Sequence, residues 1–138
     1  MEWRKHTSSV EDYLEAILKI EMKHGRVRIK DIAEELRVTA PSVTGMIRKL
    51  SDLGYVYYER YGIIHLTDRG RQIAEDITRR HDLIEKLLII CGVNREIAHE
   101  DACKIEHACS SETLYRLERL VEFLSSEEIY TRFRRFKW

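Results

Sequence analysis

The chain carries a single proline, Pro41, and this limits the folds open to it. Proline breaks helix interiors and central strands. A chain almost without it, with six scattered glycines, favours long helices and short turns over a sandwich or barrel. Pro41 stands where a helix begins. Thr39 reads as the N-cap, and a proline in the first helical turn gives up no hydrogen bond, because N–H groups there lack a partner within the helix. The 138 residues fit one domain, or two small halves sharing a core.

Hydrophobic spacing places the elements. Val10, Tyr13, Leu14, Ile17 and Ile20 recur at helical intervals over 9–24, with Ser8 and Glu11 spaced as a capping box. Ile32, Ala33 and Leu36 mark a short helix over 30–36. Val43, Met46, Ile47 and Leu50 mark a third over 40–53, ended by Gly54. Residues 55–58 and 63–66 read as two short strands around a hairpin-sized loop, 59–62. Thr67 is placed to cap a long helix over 68–91, whose stretch Leu87-Leu88-Ile89-Ile90-Cys91 is apolar all round. A helix apolar all round needs cover on more than one side, and self-association supplies it most economically. After Gly92, a fifth helix follows Asn94 to about 109. A sixth over 111–124 carries Leu114, Leu117, Val121 and Leu124. Ser125 and Glu128 are placed to cap a last short helix, and the ending 132–138 is basic and aromatic, suited to nucleic acid or to packing on a dimer.

Formal charge balances at 24 basic against 24 acidic residues, but unevenly along the chain. Residues 26–60 hold seven Lys/Arg against five Asp/Glu; residues 81–125 hold five against nine. A mildly basic N-terminal half thus precedes an acidic helical half, the first suited to phosphates and the second to cations. The three cysteines, Cys91, Cys103 and Cys109, form no C-x-x-C pair and no disulfide framework. No apolar run resembles a signal peptide or spans a membrane, so the expected setting is the reducing cytoplasm.

Helix, helix, turn, helix and hairpin make up a winged helix-turn-helix. A recognition helix needs small polar groups at its N-terminus to enter the major groove and basic groups nearby for phosphates. Thr39, Pro41, Ser42 and Thr44 supply the first, and Arg48, Lys49, Lys30 and the wing residue Arg60 the second. The net +2 of this half is weak, so useful affinity calls for a dimer.

The fifth helix carries His99, Cys103, Glu106 and His107 at steps of four, three and one, on one helical face beside an apolar stripe of Ala98, Ala102, Ile105 and Cys109. Cys103, Glu106 and His107 can reach one ion, and a thiolate with imidazole and carboxylate suits a late first-row divalent ion. Three ligands rarely complete such a shell. Two further pairs are available: Asp12 with Glu15 at i, i+3, and His81 with Glu85 at i, i+4.

The string Glu100-Asp101-Ala102-Cys103-Lys104-Ile105-Glu106-His107 resembles the metal-site helix of the diphtheria-toxin-repressor family of iron- and manganese-dependent regulators. Arg80-His81-Asp82-Leu83-Ile84-Glu85, Val10-Glu11-Asp12-Tyr13-Leu14-Glu15 and the winged helix extend the resemblance over about residues 8 to 124. It implies a mainly α protein: a winged helix-turn-helix over 1–70 followed by an all-helical dimerisation and metal-binding domain over 71–138. It implies Cys103, Glu106 and His107 as principal ligands, Asp12 as a helix-one ligand, Glu15 as an extra ligand of the manganese branch, and His81, Glu85 and His99 as a second site. The sequence ends at Trp138, without the third, SH3-like domain of the long iron regulators, so ligands from that domain are expected to be missing. Asp12 and Glu15 are similar to the manganese branch, whereas Cys103 is similar to the iron branch. A thiolate favours Fe(II), Co(II), Ni(II) or Zn(II) over Mn(II); the expected ion is Fe(II), with Mn(II) close behind.

The expectation is a non-enzymatic, dimeric, metal-dependent repressor of palindromic operator DNA, with no membrane partner. The competing reading is a redox- or small-molecule-responsive winged-helix repressor with Cys103 as sensor thiol. A metalloenzyme finds no support: no His-Glu-x-x-His, Ser/His/Asp or glycine-rich phosphate motif is present.

Overall fold

Leu14 and Ile17 are fully buried, with Val10, Tyr13 and Ile20 beside them, which is what an apolar stripe at helical spacing does when it meets a core. They lie on α1 (Ser8–His24). The computed structural model describes residues 8–136, with side chains from Ser9, so the Ser8 side chain of the expected capping box lies outside the described residues, as do Lys137 and Trp138. The other elements are α2 (Ile29–Leu36), α3 (Ala40–Asp52), β1 (Val56–Tyr58), β2 (Ile64–Leu66), α4 (Asp68–Ile90), α5 (Arg95–Ile105), α6 (Ser111–Leu124) and α7 (Glu127–Arg135). Two compact units divide within α4, between Thr78 and Arg79.

In the first unit, Ile32 of α2, Val43, Ile47 and Leu50 of α3, Val56 of β1, and Ile64 and Leu66 of β2 close one core with α1. Burying each large aliphatic contributes about 1.5–3 kcal/mol. The α2–α3 turn is tight: Arg37 takes a left-handed φ of 54° and Val38 N donates to Ala33 O at 3.1 Å. Thr39 caps α3 as expected, its hydroxyl accepting from Ser42 N at 3.4 Å. The strands pair antiparallel, Val56 with Leu66 and Tyr58 with Ile64. They are a residue shorter at one end than the sequence spacing implied. A short 3-10 turn, Arg60–Gly62, joins them, and Tyr61 there holds a φ of 68°, uncommon outside glycine.

The start of α4 is fixed to the end of α3. Gly54 ends α3 with a φ of 81°, a conformation that glycine adopts freely. Thr67 donates its hydroxyl to Gly54 O at 2.6 Å and accepts from Gly70 N at 3.1 Å, while Thr67 N donates to Tyr55 O at 3.0 Å. Gly70 lies so close to the Tyr55 backbone that a Cβ would stand 2.0 Å from its carbonyl oxygen. Arg71 reaches Glu21 of α1 at 2.6 Å, and this carboxylate raises the arginine's pKa.

In the second unit, Ile84, Ala102 and Leu114 form the buried centre, with Leu83, Leu88, Ile105 and Cys109 packed against it. Asn94 caps α5 by accepting from Glu96 N at 2.8 Å, and Ser110 caps α6 by accepting from Thr113 N at 3.2 Å. Two expectations need correction. The fifth helix stops at Ile105 rather than near 109, because Ala108 N bonds Ile105 O at 2.9 Å and the chain turns toward the Ser110 cap. Ser125 does not cap α7; it ends α6, donating its hydroxyl to Val121 O at 2.6 Å, and Ser126 precedes α7. Leu87, Leu88 and Ile89 are half-buried in this unit, Ile90 is buried and Cys91 is exposed.

Candidate metal centre and DNA-reading surface

Two turns of α4 and one face of α5 bring the metal-site side chains of the second unit together. His81 and Glu85 stand one turn apart on α4; His99 and Cys103 stand one turn apart on α5. His81 is the hub. Its Nε2 lies 2.9 Å from Glu85 Oε2 and 3.1 Å from His99 Nδ1. Its Nδ1 lies 2.9 Å from Glu106 Oε2 and 3.7 Å from Cys103 Sγ. One ligand atom from each of His81, His99 and Cys103 falls within 4.8 Å of the others. Glu106 is the C-cap of α5, still with helical dihedrals, so it keeps the phase of the helix; His107 follows it past the helix end, its Nε2 3.4 Å from Glu106 Oε1.

Burial separates these residues. The Glu106 side chain is 1% exposed and that of His81 7%, whereas His99 is 52% exposed. A buried carboxylate needs a cationic partner or a metal. Glu106 has an imidazole on each oxygen, and His81 can donate to both neighbouring carboxylates only as the imidazolium. A divalent ion supplies the same neutralisation with more bonds. Nitrogen, oxygen and sulfur donors converging beside a buried carboxylate therefore fit a late first-row divalent ion. Asp12 and Glu15 are both half-buried on α1, in the other unit. Glu11, which the sequence offered only as half of a cap, is 3% exposed; its residue type gave no sign of that burial.

The reading surface lies on α3. Val43, Ile47 and Leu50 face the core, which leaves Pro41, Ser42, Thr44, Arg48 and Lys49 exposed. The small hydroxyls are bonded locally. Thr39 Oγ1 lies 2.9 Å from Ser42 Oγ, and Thr44 Oγ1 donates to Ala40 O at 3.1 Å. Lys30 opens α2 and Arg60 sits in the wing turn, both exposed. On the wing, Tyr57 stacks on His65, whose Nε2 meets Glu59 Oε2.

A winged helix-turn-helix followed by a helical unit with a mixed-donor cluster defines a metal-responsive DNA-binding regulator, and the chain belongs to the diphtheria-toxin-repressor family of iron- and manganese-dependent transcriptional regulators. Residues 5–64 match the N-terminal DNA-binding domain of iron-dependent repressors, and residues 67–129 match their metal-binding and dimerisation domain. The HTH-type transcriptional regulator MntR of Geobacillus thermodenitrificans is 38% identical over 122 residues, 88% of this chain and 86% of the relative. Among solved structures, the metal-dependent transcriptional regulator MtsR superposes with a TM-score of 0.78 at 32% identity, covering 86% of this chain and 55% of its own. A manganese-dependent transcriptional repressor in complex with manganese superposes at 0.76 and 33% identity, covering 83% and 53%. The chain thus spans about half the length of these solved chains. The family comprises DNA-binding regulators, not enzymes, and does not favour the sensor-thiol reading. Among the described residues no helix is long and apolar enough to cross a membrane.

Proposed function

We propose that this chain is a cytoplasmic repressor whose dimer grips a palindromic operator when loaded with Fe(II) or Mn(II). Cys103, Glu106 and His107 hold the ion, with Asp12 and Glu15 contributed from α1, and His81, Glu85 and His99 form a neighbouring second set. A divalent ion would supply the positive charge that offsets the carboxylates among its ligands. The functional division runs at 70/71, with the start of α4 kept in the reading half. Thr39, Pro41, Ser42 and Thr44 meet base edges; Lys30, Arg48, Lys49 and Arg60 meet phosphates.

The observation that carries the reading is the ring of donors around His81, with Glu85, His99, Glu106 and Cys103 all within 3.7 Å of its nitrogens. Dimerisation is supported by apolar side chains left exposed in the second unit, among them Ile97, Tyr115, Leu120 and Phe123. Metal tightens DNA binding only through a higher affinity for the DNA-competent state. The test is a gel-shift titration on duplexes enriched from a random pool by the metal-loaded chain. Affinity falling about five- to 150-fold on chelation is expected; equal affinity with and without chelator overturns the proposal.

A further inference from the structure

Between α1 and α2 the chain runs extended, and the side chains alternate. Val27 is fully buried, and its carbonyl accepts from Ile64 N of β2 at 2.8 Å. This bridge fastens the segment to the base of the wing. The residues on either side of Val27 therefore point away from the core, and they are Arg26 and Arg28. His24 ends α1 and Lys30 sits in the first turn of α2. These four residues, with Asp31, line an open cleft of about 260 Å³. Apart from Lys30, none belongs to the DNA-contacting set read from the sequence.

The charge in the cleft is strongly one-sided. Two arginines and a lysine line it against one residue that carries a carboxylate. That carboxylate is already engaged, Asp31 Oδ2 accepting from Arg28 N at 2.9 Å. Arg28 is also the N-cap of α2, so the cleft opens beside the positive end of that helix. Its volume is below the roughly 300 Å³ at which small-molecule pockets begin, and a tetrahedral anion suits it better. Arginine forks match phosphate oxygens two at a time.

We propose that the cleft formed by His24, Arg26, Arg28 and Lys30 holds a backbone phosphate of DNA, outside the recognition helix. The proposal rests on the DNA-binding reading above. It gives the wing base and the start of α2 a second grip on the duplex, one that fixes the orientation of α3 without reading sequence.

The test uses the metal-loaded full chain and mixed-sequence duplex DNA, with affinity measured by fluorescence anisotropy across a KCl series. Arg26→Ala and Arg28→Ala are compared with the parent and with Lys86→Ala, which removes an exposed cation from the second unit. Each lost phosphate contact is expected to flatten the slope of log affinity against log salt by about 0.9 and to weaken binding about fivefold at physiological salt. Arg26→Lys should recover most of the slope, and pool-enriched duplexes should weaken as much as mixed-sequence DNA. Slopes equal to that of Lys86→Ala overturn the proposal. So does loss of inorganic phosphate binding, followed by phosphorus NMR, with an unchanged DNA slope, which would make the cleft a small-anion site. Chelation read in parallel separates the two ideas: a parent chain indifferent to metal fails the metal reading but leaves the slope comparison intact.

Discussion

Gly70→Ala and Gly45→Ala are the same chemical change in two helices, and the structure predicts opposite outcomes. At Gly70 the added Cβ would lie 2.0 Å from Tyr55 O, 2.9 Å from Tyr55 C and 3.1 Å from Tyr55 Cα. Carbon and oxygen make close contact at about 3.3 Å, so the first turn of α4 must retreat by more than about 1 Å. The atoms in the way are backbone, which no rotamer change can clear. The retreat stretches two hydrogen bonds, Thr67 N to Tyr55 O and Thr67 Oγ1 to Gly54 O, each contributing about 1 kcal/mol. Overpacking costs a further 1–3 kcal/mol or so. Alanine's better helix propensity returns about 1 kcal/mol. The net loss is about 2–4 kcal/mol, a large part of the roughly 5–15 kcal/mol of a whole domain. At Gly45, inside α3, a Cβ meets nothing within 4 Å and the backbone φ is ordinary. There the same substitution should stabilise by about 0.5–1 kcal/mol. Urea unfolding followed by circular dichroism reads both through the midpoint at constant slope. A Gly70→Ala chain within about 0.5 kcal/mol of the parent would refute the argument that backbone contact between α4 and Tyr55 fixes the base of the wing.

Further expectations concern the site and the ion pairs. Cys103→Asp replaces a soft donor by a hard one, so the ranking of Mn(II) against Fe(II), Co(II) and Zn(II) should move toward Mn(II) in direct metal titrations; an unmoved ranking would make Cys103 a packing residue. Glu35 is held below its usual pKa, chiefly by the hydrogen bond from Lys19 at 2.8 Å. Its contribution is therefore present above the ordinary glutamate range and lost as pH falls through the lower folded value. With side chains 31% and 51% exposed, the effect is below about 1 kcal/mol. Glu35→Gln should remove that part of the acid-side dependence in unfolding curves taken near pH 4, and equal curves would count against it.

The strongly periodic parts of this fold were legible from spacing alone. Val10, Leu14 and Ile17 on α1, and Val43, Ile47 and Leu50 on α3, reach the core that their intervals imply. Thr39 and Thr67 cap where their residue types say. Less legible were features decided by partners far along the chain. The bridge of Val27 to Ile64 is too short to leave a period-two signal. The end of α5 is hidden because Glu106 keeps helical dihedrals after the helix has stopped, so spacing continues through the boundary. Glutamate as a residue type predicts exposure; Glu11 and Glu106 are buried because of what surrounds them. The same limit applies to His81, which reads from sequence as one half of an i, i+4 pair. In space it is the hub, because Glu106, 25 residues away, meets its other nitrogen.

The most direct test of the central claim is operator affinity as a function of added Fe(II) or Mn(II), measured for the parent chain and for Glu106→Gln. Glutamine keeps the shape of the buried side chain and removes the charge that an ion neutralises. The parent should gain about five- to 150-fold in affinity with metal, and Glu106→Gln should lose most of that gain while its metal-free binding stays close to the parent's. A variant that responds to metal as the parent does, or a parent that does not respond at all, would contradict the claim that this donor cluster switches DNA binding.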